Sequence, residues 1–417
     1  MEILRHGIVA FGVKTLSALS AFAMTVIISR QLGASEAGLF FLGVSIVSVV
    51  SALSRLGLEN TLVRFIAGHR AAGEAGAIAA VISTALGWSM AASAILAVPI
   101  ALLAEPIAGG VFGKPEFAPV LRILAAGIPL MAFYTLYAYA LQGLKQVTQS
   151  LTVLNVALPL TVVVLALLLH PVAAMDGARL YVVAAALSLI LGLLWWRTYS
   201  RTDAALIPVD RRALLASCLP LYVAVVLNQV VTWSSQLILG ASANAEDVAV
   251  FNAALRTAML TSFVLIAVNS IAAPKFAELH RLGQTDALRR TAVVTTRMMA
   301  LMGGVPLAVM LVAPEQLMSI FGPEYERGAN ALRILAAGQF VNVGTGSVGL
   351  LLAMTGNERA LRNNMVLAAL VCVGLGSILI PFAGLIGAAI STAIGVSTLN
   401  LLGLWQTKRL LGFSTIG

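Results

Sequence analysis

A seven-residue segment occurs twice in this chain, and the repeat limits the possible folds more than any other feature of the sequence. The segment Leu-Arg-Ile-Leu-Ala-Ala-Gly covers residues 121–127 and returns unchanged at residues 332–338, which is 211 positions later in a chain of 417 residues. Further matches at this offset are Phe65 with Phe276 and His69-Arg70 with His280-Arg281. Several ordered matches at about half the chain length indicate an internal duplication.

Composition places the duplicated chain in a membrane. Hydrophobic residues make up 60% of the sequence and charged residues only 10%, whereas a soluble domain carries about 25% charged residues. Because a membrane-spanning helix needs about 20 mostly apolar residues, the sequence predicts an all-α integral membrane protein with twelve transmembrane helices. They cover roughly residues 8–28, 39–58, 77–103, 121–141, 149–170, 178–196, 213–239, 248–273, 291–313, 330–353, 364–381 and 384–405.

The duplication divides these helices into two sets of six. We predict an N-terminal six-helix bundle at residues 1–200, a cytoplasmic linker at 201–212 and a C-terminal six-helix bundle at 213–417. Because six is an even number, both halves enter the membrane in the same direction, which predicts parallel repeats. Transporters built from such repeats bind their substrate between them, so we expect a central cavity. Arg122 and Arg333 of the repeated segments should then occupy equivalent places.

The distribution of Lys and Arg predicts the orientation in the membrane. One set of loops and chain ends holds 17 of these residues, and the opposite set holds 6. The positive-inside rule therefore places both termini in the cytoplasm. The formal charge of +9 then describes loops that face anionic membrane lipids, so we expect lipids and no nucleic acid as partners.

Motifs of catalysis and of cofactor binding are absent from the sequence. There is no GxxxxGK[ST] loop and no HExxH, and the 4 histidines are scattered along the chain. Every predicted loop is short. We therefore expect neither an enzymatic activity nor a cofactor.

Carboxylates and cations are distributed differently along the predicted helices. All 17 carboxylates lie in loops or at helix ends, with Glu59 the deepest, which argues against a carboxylate relay for cationic drugs. Arg256 lies about eight residues, roughly 12 Å, from the outer end of its helix. A lipid-facing Arg would cost ~2.5–3.5 kcal/mol there, so we expect it to line a water-filled cavity and bind an anion such as a phosphate. Lys14 and Arg297 are weaker candidates, because snorkelling to the headgroups explains them equally well.

Amides and tyrosines within the predicted helices are further candidates for substrate contacts. Asn228 and Gln229 begin a polar stretch of the seventh helix, and Asn155 lies in the fifth. Together they could line a path for a sugar, although hydrogen bonds between helices explain each of them individually. Tyr134 and Tyr137 share one face of the fourth helix. They could stack on a sugar, and packing at a helix interface is the favoured alternative.

The first helix of each predicted half carries a residue that weakens helical hydrogen bonding near its cytoplasmic end. Gly12 lies in the first helix and Pro220 in the seventh. At the offset of 207 that relates the segment Leu-Gly-Ala-Ser at 32–35 to its copy at 239–242, Pro220 aligns with Val13, which is next to Gly12. We predict that the helices bend there as the transporter switches sides, and ordinary kinks without a moving role are the alternative.

Two segments near the start of the chain resemble a known family. Residues 28–40 read Ile-Ser-Arg-Gln-Leu-Gly-Ala-Ser-Glu-Ala-Gly-Leu-Phe, and residues 56–67 read Leu-Gly-Leu-Glu-Asn-Thr-Leu-Val-Arg-Phe-Ile-Ala. They resemble the N-terminal signature of Wzx-type oligosaccharide flippases in the multidrug/oligosaccharidyl-lipid/polysaccharide exporter superfamily. The resemblance implies two six-helix bundles around a cavity that opens alternately to each side, and a polyprenyl-pyrophosphate-linked oligosaccharide as cargo. It also implies a bacterial inner membrane, with a polysaccharide polymerase and glycosyltransferases as partners.

The chain departs from two related branches of that superfamily. Lipid II flippases have two further C-terminal helices and several arginines in the first helix, where this chain has Lys14 and Arg30. Drug exporters usually carry membrane carboxylates. Two transport functions therefore remain, a flippase for a lipid-linked oligosaccharide and a small-molecule exporter of the same fold. A scaffold of a polysaccharide-synthesis complex is a third function class, and it would tolerate the loss of every buried charge.

Overall fold

The fold consists of α-helices joined by short turns. The computed structural model describes residues 2–200 and 210–417, with the side chains of all of these except 2–11, 263, 264, 266, 267, 270 and 271. Within those ranges there is no β-strand, so the predicted all-α class is confirmed. The chain forms two compact units, Met1–Gln229 and Val230–Gly417, called the N-terminal unit and the C-terminal unit below.

The N-terminal unit contains nine α-helices and the first part of a tenth. Their bounds are α1 (Glu2–Ser54), α2 (Leu58–Ala71), α3 (Ala75–Leu102), α4 (Ala104–Pro106), α5 (Phe117–Ala125), α6 (Gly127–Gly143), α7 (Val147–Leu151), α8 (Leu158–Leu169), α9 (Ala174–Tyr199) and α10 (Arg211–Ser242). Two π-helical segments cover Ile107–Val111 and Thr152–Ala157.

The C-terminal unit contains the rest of α10 and seven further α-helices. Their bounds are α11 (Ala245–Met259), α12 (Phe263–Arg281), α13 (Thr285–Val312), α14 (Pro314–Ser319), α15 (Ala329–Gly344), α16 (Val348–Met354) and α17 (Glu358–Leu411). Short 3-10 turns cover Leu260–Ser262 and Pro323–Gly328.

Many of these helices are suited to a bilayer. In the described part of the chain, 9 helical stretches are long and apolar enough to cross a membrane. Two of them are broken by a glycine, since Gly33 in α1 has a φ of 72° and Gly384 in α17 has a φ of 49°. Glycine adopts such a φ without steric cost, so one residue separates two helical segments where the sequence predicts a loop at 29–38. The number of twelve transmembrane helices stays a prediction.

The repeated segment makes the same contacts in both units. Arg122 of α5 donates through Nε to a carbonyl oxygen in the last turn of α3 at 3.4 Å, and its Nη2 lies 3.1 Å from Glu105 Oε1. Arg333 of α15 donates through Nε to a carbonyl oxygen in the last turn of α13 at 3.4 Å, and its Nη2 lies 3.3 Å from Glu315 Oε1. The predicted equivalence of Arg122 and Arg333 is therefore confirmed.

The two copies differ where the sequence offset changes. The segment Leu-Gly-Ala-Ser breaks the helix at Gly33 in its first copy. In its second copy Gly240 stays helical, α10 continues to Ser242 and α11 begins at Ala245. The second copy therefore has four more residues than the first between this segment and the next matching position. These residues lie in the longer helix and the turn that follows it, and they raise the offset between the copies from 207 to 211.

The first half of α10 packs within the N-terminal unit. Leu214 and Cys218 join the buried core formed by α2, α3 and α6, and Ser217 Oγ lies 3.1 Å from Thr61 Oγ1. The boundary between the units therefore falls inside α10. The predicted linker 201–212 lies outside the described residues except for 210–212, and the predicted domain limits at 200 and 213 stay predictions.

Candidate substrate-binding site

A buried amide on α11 has one hydrogen-bonding atom unused. Asn252 is 4% exposed, and its Nδ2 donates to Gln236 Oε1 of α10 at 3.1 Å. Its Oδ1 is buried and has no hydrogen-bond partner among the described residues. Because a buried unpaired acceptor costs about 1–3 kcal/mol, this oxygen is suited to accept a hydrogen bond from a ligand or a water molecule.

Arg256 follows Asn252 by one turn of α11, so the two side chains share a face of the helix. Arg256 is half-buried and lies in the last turn of α11. Since α11 begins at Ala245 rather than at the predicted residue 248, Arg256 lies roughly 17 Å along the helix, farther than the 12 Å expected from the sequence.

A second group of polar side chains follows α11. Ser262, in the 3-10 turn after α11, donates through Oγ to Gln339 Oε1 at 2.7 Å. Asn342, one turn later on α15, donates through Nδ2 to Ser262 Oγ at 3.4 Å. In the sequence, Arg256 lies between Asn252 of the first group and Ser262 of the second.

For brevity we call the two hydrogen-bonded groups, together with Arg256 between them in the sequence, the polar face of the C-terminal unit. Its members are Gln236, Asn252, Arg256, Ser262, Gln339 and Asn342. The set contains a guanidinium group, amides and a hydroxyl, and none of its members is a carboxylate. A guanidinium group binds phosphate oxygens through charge-assisted hydrogen bonds. Amides donate to and accept from sugar hydroxyls. The face therefore matches a ligand that is both anionic and rich in hydroxyl groups.

Sequence reasoning missed half of this face. Gln236 belongs to the polar stretch of the seventh helix, but the sequence alone did not single out Asn252, Ser262 or Gln339. The spacing of Asn252 and Arg256 was a usable signal, because residues four apart share a helix face.

In the N-terminal unit, the structure brings Lys14 and Asn155 onto neighbouring surfaces. Ser17 lies one turn after Lys14 on α1 and donates through Oγ to the main-chain oxygen of Asn155 at 3.1 Å. Asn155 lies in the π-helical segment Thr152–Ala157, where its Nδ2 donates to Leu151 O at 3.3 Å. π-Helical turns inside α-helices are frequent at functional sites, so this geometry adds to the case for Asn155.

Tyr134 and Tyr137 pack inside the N-terminal unit. Tyr134 is buried. Tyr137 packs against the core of α2, α3 and α6, with its ring centroid 6.2 Å from that of Trp196. These contacts match the packing alternative, and a contact with sugar stays a prediction.

Arg297 lies beside the end of the chain. It is exposed on α13, which begins at Thr285 rather than at the predicted residue 291. A Cβ atom on Gly417 would lie 3.1 Å from Arg297 Nη2. Thr415 holds this end in place, because its Oγ1 donates to Thr345 O at 2.7 Å. Arg297 thus borders Gly417 and is a weaker candidate for binding cargo than Arg256.

The remaining predicted residues lie on α1 and α10. Asn228 is exposed and Gln229 half-buried on α10, beyond Leu214 and Cys218, which join the core of α2, α3 and α6. Pro220 lies inside α10, which stays one helix from Arg211 to Ser242. Gly12 is exposed on α1, and a Cβ atom there would meet nothing within 4 Å. Bending at Gly12 and Pro220 stays a prediction.

A buried ion pair near the start of α2 was also missed. Arg55 donates through Nε to Glu59 Oε1 at 2.7 Å, and Glu59 is 5% exposed. Arg55 Nη1 also donates to Ser51 Oγ at 3.2 Å. The other carboxylate oxygen, Glu59 Oε2, is buried without a partner among the described residues. The four-residue spacing was visible in the sequence, but the end of α1 at Ser54 separates the two residues and concealed the contact.

Comparison with known proteins identifies the family and the fold. Residues 3–280 match the model of the family described as polysaccharide biosynthesis protein. No curated protein matches the chain significantly. An inward-facing multidrug resistance MATE family transporter of the MOP superfamily is 17% identical, with 97% of this chain and 98% of that chain covered and a TM-score of 0.78.

Two further solved structures share the fold. A MOP superfamily transporter from Pyrococcus furiosus Vc1 (DSM3638) is 18% identical, covering 98% of this chain and 95% of that chain with a TM-score of 0.67. The lipid II flippase MurJ in an inward closed conformation is 14% identical, covering 95% of this chain and 87% of that chain with a TM-score of 0.73. At these identities the likeness is one of fold. The chain belongs to the polysaccharide biosynthesis protein family, and it is a multi-pass membrane protein with a transporter fold.

Proposed function

We propose that the protein is a flippase that moves a polyprenyl-pyrophosphate-linked oligosaccharide across the bacterial inner membrane for cell-surface polysaccharide synthesis, by alternating access. The observation that carries the proposal is the polar face of the C-terminal unit, where Arg256 lies one turn from the unpaired Asn252 Oδ1. The guanidinium group matches a pyrophosphate, and the amides match sugar hydroxyls. The family to which the chain belongs supports a polysaccharide precursor as the cargo.

The other predicted site residues take supporting roles in this proposal. Lys14 and Asn155 on neighbouring surfaces of the N-terminal unit offer a second cation and an amide. Asn228 and Gln229 would add amides along the path of the sugar. Arg297 would act as a cation near the chain end rather than as the main phosphate ligand.

The arrangement of the N-terminal unit supports a cytoplasmic location for both termini. Arg70, Gln146 and Tyr199 line one cavity, so the α2–α3 connection, the α6–α7 connection and the end of α9 lie at the same end of the unit. These connections carry many of the positive charges counted in the sequence. The positive-inside rule assigns that end to the cytoplasm. A polysaccharide polymerase and glycosyltransferases are the proposed protein partners, because they would use and supply such a cargo.

Reconstitution of the full chain in liposomes with a fluorescent polyprenyl-pyrophosphate oligosaccharide tests the proposal. Flipping is measured as the labelled cargo that becomes accessible to a quencher in the outer solution. Arg256→Ala should lower the initial rate about 10- to 100-fold, since a hydrogen bond to a charged group contributes ~1.5–3 kcal/mol and 1.4 kcal/mol is about tenfold. Arg256→Lys should restore part of the rate, because the charge returns without the planar fork.

Arg333→Ala is the matched control, because Arg333 is also a half-buried arginine of the same unit and pairs with Glu315. Equal rates for Arg256→Ala and Arg333→Ala would overturn the role of Arg256. A protein that leaves the labelled lipid in place but exports a small fluorescent drug would instead be the small-molecule exporter. Full activity in every variant that lacks a buried charge would favour the scaffold.

A further inference from the structure

A cavity of about 350 Å³ opens at one end of the N-terminal unit. It is formed where four chain segments meet, one of them being the start of α3. Arg70 comes from the end of α2, Leu144 and Gln146 come from the connection between α6 and α7, and Trp196 and Tyr199 come from the last turn of α9. None of these segments contains a residue of the polar face, so the cavity is separate from the proposed cargo site.

The cavity has an apolar floor and a basic rim. Ile78 and Ala79 of α3 line it together with Leu144 and the Trp196 ring. At the rim, Arg70 is exposed and donates through Nη1 to Leu144 O, which fixes the guanidinium group and leaves its other N–H groups for a ligand.

Further charges surround the opening. Lys145 and Arg197 are exposed next to lining residues. The nearby carboxylate of Glu74 lies 2.6 Å from His69 Nδ1, so it is already engaged. Among the described residues that line the cavity, none is acidic. The site is therefore suited to an anion that also carries apolar groups.

The position of the cavity along α9 fits the level of lipid headgroups. Helix α9 is 26 residues long and apolar enough to span a bilayer, and the cavity lies at its last turn. Trp and Tyr are enriched at this depth, where one end of the side chain is apolar and the other is wet. Leu194, one turn before the cavity, is 54% exposed and continues an apolar surface along the helix.

The duplication supplies an internal comparison. A cavity of about 230 Å³ lies at the equivalent place in the C-terminal unit, where Gly283, Thr285 and Leu288 stand 210 positions after Gly73, Ala75 and Ile78. Its other walls include Leu410, Leu411 and Phe413. The arginine equivalent to Arg70 is Arg281, which is not one of its lining residues. An arginine in the cavity lining is therefore particular to the N-terminal cavity.

We propose that the cavity of the N-terminal unit binds the phosphodiester headgroup of an anionic phospholipid. The phosphate would accept hydrogen bonds from Arg70 and Gln146, with Lys145 and Arg197 strengthening the local positive potential. The acyl chains would follow the apolar surface of α9 past Leu194. A bound lipid would join the ends of α2, α6 and α9, which are otherwise connected there by few polar contacts such as the Arg70–Leu144 hydrogen bond.

Native mass spectrometry of the detergent-solubilised full chain tests this site. Titration with phosphatidylglycerol should show one site with at least tenfold higher affinity than for phosphatidylcholine of the same acyl chains. Arg70→Gln should reduce the affinity for phosphatidylglycerol to that for phosphatidylcholine. Arg281→Gln, the equivalent change in the other unit, should leave both affinities unchanged.

A second variant separates loss of the site from loss of the fold. Ala79→Phe should fill the cavity and weaken binding of both lipids, while the helix content by circular dichroism stays that of the unmodified chain. Equal effects of Arg70→Gln and Arg281→Gln, or undiminished lipid binding by Ala79→Phe, would overturn the proposal. Displacement of phosphatidylglycerol by millimolar inorganic phosphate would also overturn it, because the ligand would then be a free phosphate rather than a lipid.

Discussion

Replacing Gly338 with alanine should destabilise the C-terminal unit, whereas the same change at Gly127 should not. The two glycines end the two copies of the repeated segment, but their surroundings differ. A Cβ atom on Gly338 would lie 2.7 Å from Ala393 Cα, a main-chain atom of α17. At Gly127 the nearest atom would be Val182 Cγ2 at 3.5 Å, which is an ordinary contact.

The distances give the size of the effect. Carbon atoms make favourable contacts at about 3.5–4.0 Å, so α15 and α17 would have to separate by roughly 1 Å in Gly338→Ala. Overpacking of this kind costs about 1–3 kcal/mol. Both glycines are helical, so the gain of about 0.5–1 kcal/mol from replacing glycine in a helix applies to both variants and cancels in their comparison. Gly338→Ala should therefore be about 1–3 kcal/mol less stable than Gly127→Ala.

Thermal unfolding of the two purified variants in the same detergent measures this difference. For a unit of this size, 1 kcal/mol corresponds to about 2–4 °C in the midpoint, so Gly338→Ala should unfold several degrees below Gly127→Ala. Because Gln339 follows Gly338 and accepts the hydrogen bond from Ser262, the flipping rate should also fall in Gly338→Ala. Equal midpoints would refute the close approach of α15 to α17 from which the argument starts.

Two further predictions concern buried polar groups. Asn252→Leu should lower the free energy of unfolding by about 1–3 kcal/mol, because Gln236 loses a buried hydrogen-bond donor. In the double variant with Gln236→Leu, the free energy of unfolding should fall by less than the sum of the two single changes. Additive losses in thermal unfolding would contradict the contact. Burial lowers the pKa of Lys114 below its ordinary value of 10.5, against a smaller opposite effect of Glu116. The folded state then binds fewer protons than the unfolded state between the two pKa values, so the free energy of unfolding should rise with pH up to about 10.5. The variant Lys114→Met should lack this rise, and parallel pH profiles for the two proteins would disprove the assignment.

The framework of the fold could be predicted from the sequence because it depends on long apolar segments and on the duplication. Apolar runs predict spanning helices wherever they occur, since the bilayer requires internally hydrogen-bonded backbone. The equivalence of Arg122 and Arg333 followed from sequence identity alone, and the matching contacts to Glu105 and Glu315 confirm it. Helix ends were less predictable. At Gly33 a single backbone torsion replaces a predicted loop, and hydropathy does not report torsions.

The contacts of the candidate site could be predicted only in part. Arg256 was identified because a charge inside an apolar segment is conspicuous. Asn252 and Gln339 were not, because a lone amide in a helix gains meaning only from its partner on another helix. The π-helical geometry around Asn155 had no sequence signal that we could recognise.

The two units share packing residues but differ in the polar residues beside them, and this difference supports the proposal that the C-terminal unit binds the charged part of the proposed cargo. Phe251 corresponds to Phe40 at the offset of 211, and both rings are fully buried. One residue further, Asn252 corresponds to Phe41. Arg256 corresponds to Ser45, whose Oγ donates to Leu42 O within its own helix at 2.6 Å. An amide and a guanidinium group are costly to keep in an apolar helix. The amide and the guanidinium group occur in only one copy, beside packing residues that both copies share. This is expected if the C-terminal unit recognises the phosphate of the proposed cargo, which leaves the N-terminal unit to serve another role.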